Sequence, residues 1–142
     1  QLGGMRYRLP SEDEWMTFAQ CGRGWEYPWG NNWPPRSGQA GNYADATAKR
    51  SFSGWSVISE YSDGHDVTCD VEDSWANPWG LYGVGGNVWE CCADDASGGS
   101  FGAWRGASWF SNYRDNLRCS RRLGLSGSNR YVNYGFRLVL SR

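Results

Sequence analysis

The stretch Asn77 to Glu90, NPWGLYGVGGNVWE, sets four glycines between two tryptophans. Glycine at this density implies close turns, and a ring at either end implies that the turns are pinned by aromatic packing rather than by long ladders. Asn87-Val88-Trp89-Glu90 then reads as a short strand entered from a turn. Working outward, three further blocks frame this centre: YRLPSEDEW (Tyr7 to Trp15), RGASW (Arg105 to Trp109) and the closing GFRL (Gly135 to Leu138).

In the first block Ser11 and Glu14 form a capping box, the hydroxyl accepting an amide of the first turn while the glutamate returns to the cap amide. Trp15, Phe18 and Ala19 share a face, which predicts a helix from about residue 12 to 20, ended near Gly22. From Cys21 to Trp79 no period stands out, and Gly-Asn, Pro-Pro, Asp-Gly and Asn-Pro pairs indicate irregular chain. Stacked tryptophans or bound cations are the expected fasteners. Ala103 to Trp109 predicts a further strand entrance. Tyr134 to Leu140 alternates Phe136, Leu138 and Leu140 with Arg137 and Val139, a period-two terminal strand.

The 142 residues suit one domain that buries about two thirds of its unfolded surface. Ten tryptophans and eight tyrosines in a chain that is 39% apolar predict a core of large amphipathic rings. No apolar run approaches the roughly 20 residues that span a bilayer, and the chain begins at Gln1 rather than Met, so a preceding portion is expected to have been removed. Five cysteines, Cys21, Cys69, Cys91, Cys92 and Cys119, cannot all pair within one chain, and their spacing with His65 fits no common zinc pattern.

Formal net charge is -1, but residues 105–142 hold eight arginines and a single acid, Asp115, while the acids concentrate before them. Two readings stay open: an electropositive recognition surface, or arginines folded back as planar clamps on carboxylates of the first part.

Taken together, YRLPSEDEW, YPWG (Tyr27 to Gly30), GNYAD (Gly41 to Asp45), NPWGLYGVGGNVWE, RGASW and YGFRLVL, in this order, resemble the formylglycine-generating-enzyme (sulfatase-modifying factor) family. The resemblance covers nearly the whole chain. It implies an α+β fold of the C-type lectin-like kind, irregular, with few short strands and one or two helices. Family members carry an earlier strand that pairs with the closing one; here the chain starts almost at the helix, so that strand is expected to be absent or supplied elsewhere, with Tyr134 to Leu140 an open edge.

Catalytic members of the family use two cysteines that bind copper and oxidise a substrate cysteine. By motif the first falls two residues after RGASW and the second five later, where this chain has Ser111 and Asn116. Neither supplies a thiolate, so no copper is expected. No nucleophile elbow or phosphate cradle appears elsewhere, and the expectation is a protein that is not an enzyme.

Between RGASW and GFRL, the stretch FSNYRDNLRCSRRLGLSGSNRYVN is too aromatic for an ordinary solvent loop and too rich in Ser, Asn and Gly for a core. It resembles the variable region, here residues 105–137, of proteins diversified by retroelements on the same lectin-like scaffold. That resemblance implies a non-enzymatic, receptor-type surface formed by Phe110, Ser111, Asn112, Tyr113, Asn116, Leu117, Arg122, Leu123, Gly124, Leu125, Ser126, Tyr131, Asn133 and Tyr134. Aromatic anchors with small adaptable polar neighbours favour a protein ligand. The alternative is a homologue of the oxidase that is inactive or altered in chemistry. Nucleic acid is not expected, since Lys49 is the only lysine, and the acid-proline-asparagine signature of calcium-dependent sugar binding is absent. The sequence leaves cell surface, phage particle and cytoplasm open as locations, and oligomeric state open as well.

The family resemblance also implies structural calcium at two places: Asn42, the carbonyl of Tyr43, Asp63 and the carbonyl of His65; and Asn87, the carbonyl of Val88 and Glu90. Oxygen-only sets of this kind suit a hard cation. Against the second set stand two plainer roles, a turn conformation for Asn87 and an arginine partner for Glu90.

Overall fold

The computed structural model describes residues 4–95, 101–126 and 129–142. The first helix, α1, spans Glu12–Ala19 and begins as its capping box dictates: the Glu14 amide donates to Ser11 Oγ (3.1 Å) and the Ser11 amide donates to the Glu14 carboxylate (2.8 Å). Trp15 and Ala19 face inward and are buried. A second helix, α2, spans Ala46–Ser51 within the stretch that showed no period. Its cap is the buried Asp45, whose carboxylate accepts the amides of Thr47, Ala48 and Asp63.

Among the described residues, six short strands complete the α+β fold. A four-stranded sheet has the order β4-β3-β2-β5, from β2 (Trp89–Asp95), β3 (Phe101–Arg105), β4 (Leu123–Ser126) and β5 (Tyr134–Phe136). Its neighbours are antiparallel except β2 and β5, which run parallel in the register Trp89 to Tyr134. The expected strand at Asn87 therefore starts two residues later, because Asn87 takes a left-handed turn conformation (φ 58°). The strand entered at Ala103 ends at Arg105, since Gly106 and Ala107 also have positive φ.

The terminal segment departs from its expectation in two ways. Tyr134 to Leu140 is two strands in two sheets: β5 joins the main sheet, and β6 (Val139–Ser141) pairs antiparallel with β1 (Arg6–Arg8), Tyr7 opposite Leu140. The early partner strand thus lies within this chain, just ahead of the helix. Alternation of Phe136, Leu138 and Leu140 holds, but all three are exposed.

Aromatic rings form the core, as the composition implied. Tyr27, Tyr43, Tyr61, Trp89 and Trp104 pack with Ile58 and Leu117 in one cluster, and Trp15 packs with Val84, Cys92, Ala103 and Cys119 in another. Rings also fasten the irregular stretch: Tyr27 stacks on Trp29 with centroids 4.7 Å apart, Trp29 meets Tyr43 edge-on, and the Tyr61 hydroxyl donates to the Gly41 carbonyl. The glycine centre lies against the Gly41-Asn42 backbone so closely that a Cβ on Gly86 would sit 1.9 Å from the Asn42 carbonyl oxygen.

Candidate functional site

The arginines of residues 105–142 fold back to a large extent. Arg105 and Arg122 both grip Glu12 on α1, Arg114 and Arg118 reach Glu26, and Arg137 holds Glu90. Arg122, expected among the ligand contacts, is therefore a clamp, with Nε donating to both Glu12 oxygens at 2.8–2.9 Å. Planar guanidinium forks match carboxylates in this way, so the charge asymmetry of the sequence resolves largely into internal pairing.

The remaining expected contacts divide by exposure. Phe110, Tyr113 and Tyr131 are 55%, 67% and 59% exposed, so their rings meet solvent although rings fill the core elsewhere. Leu117 is 2% exposed and belongs to the aromatic cluster: a one-turn helix at Arg114–Leu117 turns it inward, which corrects its expected surface role. Ser111 is likewise buried, its Oγ accepting the Ser108 amide at 3.2 Å. Leu123 and Leu125, on β4, are partly buried against the core, whereas Gly124 between them is exposed. Ser126 ends β4 in backbone pairing with Phe101; its side chain lies outside the described residues.

Asn112 and Asn116 are half-buried. Asn133 Nδ2 donates to Ser108 Oγ (3.1 Å), tying the end of this region to the turn after β3. Tyr134 packs between Trp104 (4.5 Å) and Tyr131 (4.8 Å).

Two open clefts flank these rings. Phe110, Asn112 and Tyr113 share one with Gly54, Trp55 and Ser56. Trp55 meets Phe110 edge-on at 4.9 Å and stacks toward Trp109, so the loop after α2 extends this face. Its two rings, Phe52 and Trp55 in a Ser-Gly setting, were the hint of this in the sequence. Tyr131 and Tyr134 line the second cleft, with Trp104 and Arg130.

At the positions where the family resemblance leads one to expect two cysteines, Ser111 and Asn116 stand, and Cys119 nearby is buried. Burial pushes the Cys119 and Cys92 thiols up to about 12, so both are protonated near neutral pH. All five cysteines are free, and among the described residues no three His, Cys, Asp or Glu side chains gather as a metal cluster. Among them, too, no helix is long and apolar enough to cross a membrane.

Of the first expected calcium set, Asn42, Asp63 and His65 lie at one place, and Tyr43 is tied to it through its amide. Asn42, Asp63 and His65 line one small cavity of about 30 Å³, and the Asp63 carboxylate accepts the amides of Tyr43 and His65, each at 2.8 Å. Asn42 Oδ1 is buried without a partner. Burial raises the Asp63 pKa to about 7, with the neighbouring Asp45 carboxylate adding to the rise and the two amides opposing it. An orphaned amide oxygen beside a buried carboxylate is the donor chemistry of a hard cation. The second set has no orphaned side-chain oxygen to match Asn42 Oδ1. Glu90 accepts Arg137 through both oxygens and Trp15 Nε1 through one (2.6–2.7 Å), while Asn87 Oδ1 accepts the Cys69 amide. The plainer roles describe Asn87 and Glu90 as they stand; Val88 packs its side chain toward Gly135.

Comparison with known proteins agrees with this architecture. A formylglycine-generating enzyme of Thermomonospora curvata is 33% identical over 129 residues, which cover 90% of this chain and 37% of the relative. Inactive C-alpha-formylglycine-generating enzyme 2 of Mus musculus is 32% identical over 146 residues, covering 94% of this chain and 43% of that one. The chain thus spans less than half the length of these relatives. Among solved structures, Treponema denticola variable protein 1 superposes with a TM-score of 0.66 at 26% identity, over 100% of this chain and 50% of its own. PvdO from Pseudomonas aeruginosa shares the fold at a TM-score of 0.69 and 23% identity, over 95% and 52%. The sulfatase-modifying factor enzyme 1-like domain matches residues 1–142, and the chain belongs to that family.

Proposed function

We propose that this protein is a catalytically inactive member of the family that works by binding. The observation that carries the reading is the pair Ser111 and Asn116 at the two thiol positions, with the Ser111 hydroxyl locked to the Ser108 amide. Relatives of mouse and cattle named as inactive formylglycine-generating enzymes, each 32% identical, support it. Incubation with copper, oxygen and a cysteine-bearing peptide should yield no aldehyde by mass spectrometry; turnover would overturn the assignment.

The finer reading is a protein ligand bound at a diversified, receptor-type surface, as in a retroelement variable protein. It has narrower support than the inactive homologue: one solved variable protein at 26% identity, together with the exposed Phe110, Tyr113 and Tyr131. Rings held out in water at this density suit contact with a partner. A random displayed-peptide library selected on the protein should give binders that Tyr113→Ser or Tyr131→Ser abolishes while the melting temperature stays put. Binders insensitive to every substitution on this face would end the reading. A near-copy of the coding sequence for residues 105–137 differing at adenines, beside a reverse transcriptase, would mark the diversification itself.

Calcium at Asn42, Asp63 and the carbonyls of Tyr43 and His65 is the cofactor proposed, in a structural role. The orphaned Asn42 oxygen supports it. No copper is assigned, because neither Ser111 nor Asn116 supplies a soft ligand.

A further inference from the structure

The cleft beside β5 has an unusual combination of walls. Trp104, Tyr131, Tyr134 and Phe136 supply aromatic surface, Cys91 supplies an uncharged thiol whose pKa burial raises, and Arg130 stands at the cleft. Its volume, about 440 Å³, is within the range of small-ligand sites. Contacts of Tyr134 with both Trp104 and Tyr131 fix the walls in place before anything binds. Packing that already holds the rings removes much of the ordering cost of association.

Charge identifies the other half of the occupant. Five arginines of residues 105–142 are spent on Glu12, Glu26, Glu90 and Asp115. Arg130 is exposed and, among the described residues, has no carboxylate and no hydrogen-bond acceptor. A guanidinium left unpaired at the mouth of an aromatic cleft selects an anion next to a ring.

We infer that this cleft takes an aromatic side chain adjacent to an aspartate or glutamate on an exposed segment of a protein partner. The ring enters among Trp104, Tyr131 and Tyr134, and the carboxylate meets Arg130. This deepens the ligand-binding reading and rests on it.

The test uses three blocked dipeptides on the isotope-labelled full chain, followed through the backbone amides of Tyr131 and Tyr134 and the indole N–H of Trp104. Ac-Phe-Asp-NH2 should give saturable shifts at these groups. Ac-Phe-Asn-NH2, with the ring but not the charge, should bind about two- to fivefold more weakly, the range of an exposed ion pair. Ac-Ala-Asp-NH2 should not saturate. Arg130→Gln should erase the difference between the first two peptides and leave the melting temperature unchanged. Equal binding of the acid and amide peptides, or no saturable shift at the cleft, would overturn the inference. If that happens while displayed-peptide binders remain sensitive to Tyr113→Ser, the cleft assignment alone is lost; if no binder depends on this face, the ligand-binding reading is lost with it.

Discussion

The glycine centre and the face from Phe110 to Asn133 use the same residue types to opposite ends. In the centre, Trp15, Trp89 and Tyr43 are buried, and the backbone around Gly85 and Gly86 leaves no room for a side chain; on the face, Phe110, Tyr113 and Tyr131 stand more than half exposed. The difference teaches that an aromatic ring acquires its role here from what holds its backbone. In the centre, glycines and buried ion pairs hold the chain from within. On the face, Leu117, Ser111 and the arginine clamps do the holding, and the rings are left over.

The strongest way to break this contrast is to substitute a glycine of the centre. Gly86→Ala places a Cβ 1.9 Å from the Asn42 carbonyl oxygen at a φ of 72°, which L side chains rarely adopt. Overlap with backbone cannot be relieved by a rotamer change, so the expected loss exceeds about 4 kcal/mol and soluble expression should fail. A folded Gly86→Ala variant with a near-normal melting temperature would show that the centre is not fixed by close approach.

Next in size is the buried carboxylate. Glu90 is 5% exposed and accepts hydrogen bonds from Trp15 and Arg137. Glu90→Ala leaves Arg137 partly buried without its counter-charge, and about 3–5 kcal/mol should be lost in urea unfolding. Near-neutral stability would transfer the holding role to the glycines alone.

A smaller effect separates a cation from plain hydrogen bonding as the fastener around Asp63. Its folded pKa, about 7, lies above the roughly 4 of an unfolded aspartate. The folded form therefore keeps a proton that the unfolded chain releases, and this stabilising contribution is complete below about pH 4 and lost as pH rises through about 7. In chelator, the share of stability from Asp63 should fall over that interval. Calcium needs the ionised carboxylate, so the rise in melting temperature on adding calcium should be larger at pH 8 than at pH 5. Identical melting curves in chelator and calcium at pH 8 would remove the proposed site.

How far the sequence foretold these regions follows the range of the forces. The α1 helix was legible because a capping box is local, closing over Ser11 to Glu14. The ring-based core was legible from composition. By contrast α2 hung on Asp45, a cap whose third amide comes from Asp63, eighteen residues away, and no periodicity announced it. Splitting of the last strand depended on β1 being available to pair with Val139–Ser141, a contact across nearly the full chain. Arg122 resembled a surface residue in its Ser-Arg-Arg-Leu setting, yet its partner Glu12 lies 110 positions earlier. Leu117 looked variable beside its polar neighbours; one helical turn decides that it points inward.

That turn supplies the smallest expected effect and the sharpest test of the contrast. Tyr113 and Leu117 are four residues apart, one at the start of the turn and 67% exposed, the other at its end and 2% exposed. Exposed side chains away from special features change stability by within about 0.5 kcal/mol, so Tyr113→Ser should leave the unfolding midpoint almost where it was. Leu117→Ala removes buried methyl groups from the aromatic cluster and should cost about 2–5 kcal/mol. If Tyr113→Ser proves as costly as Leu117→Ala, the face is part of the scaffold and its rings are not available for a partner. If the two differ as expected, the same five residues carry both halves of the design: a leucine that fixes the loop and a tyrosine that the fixed loop holds out to solvent.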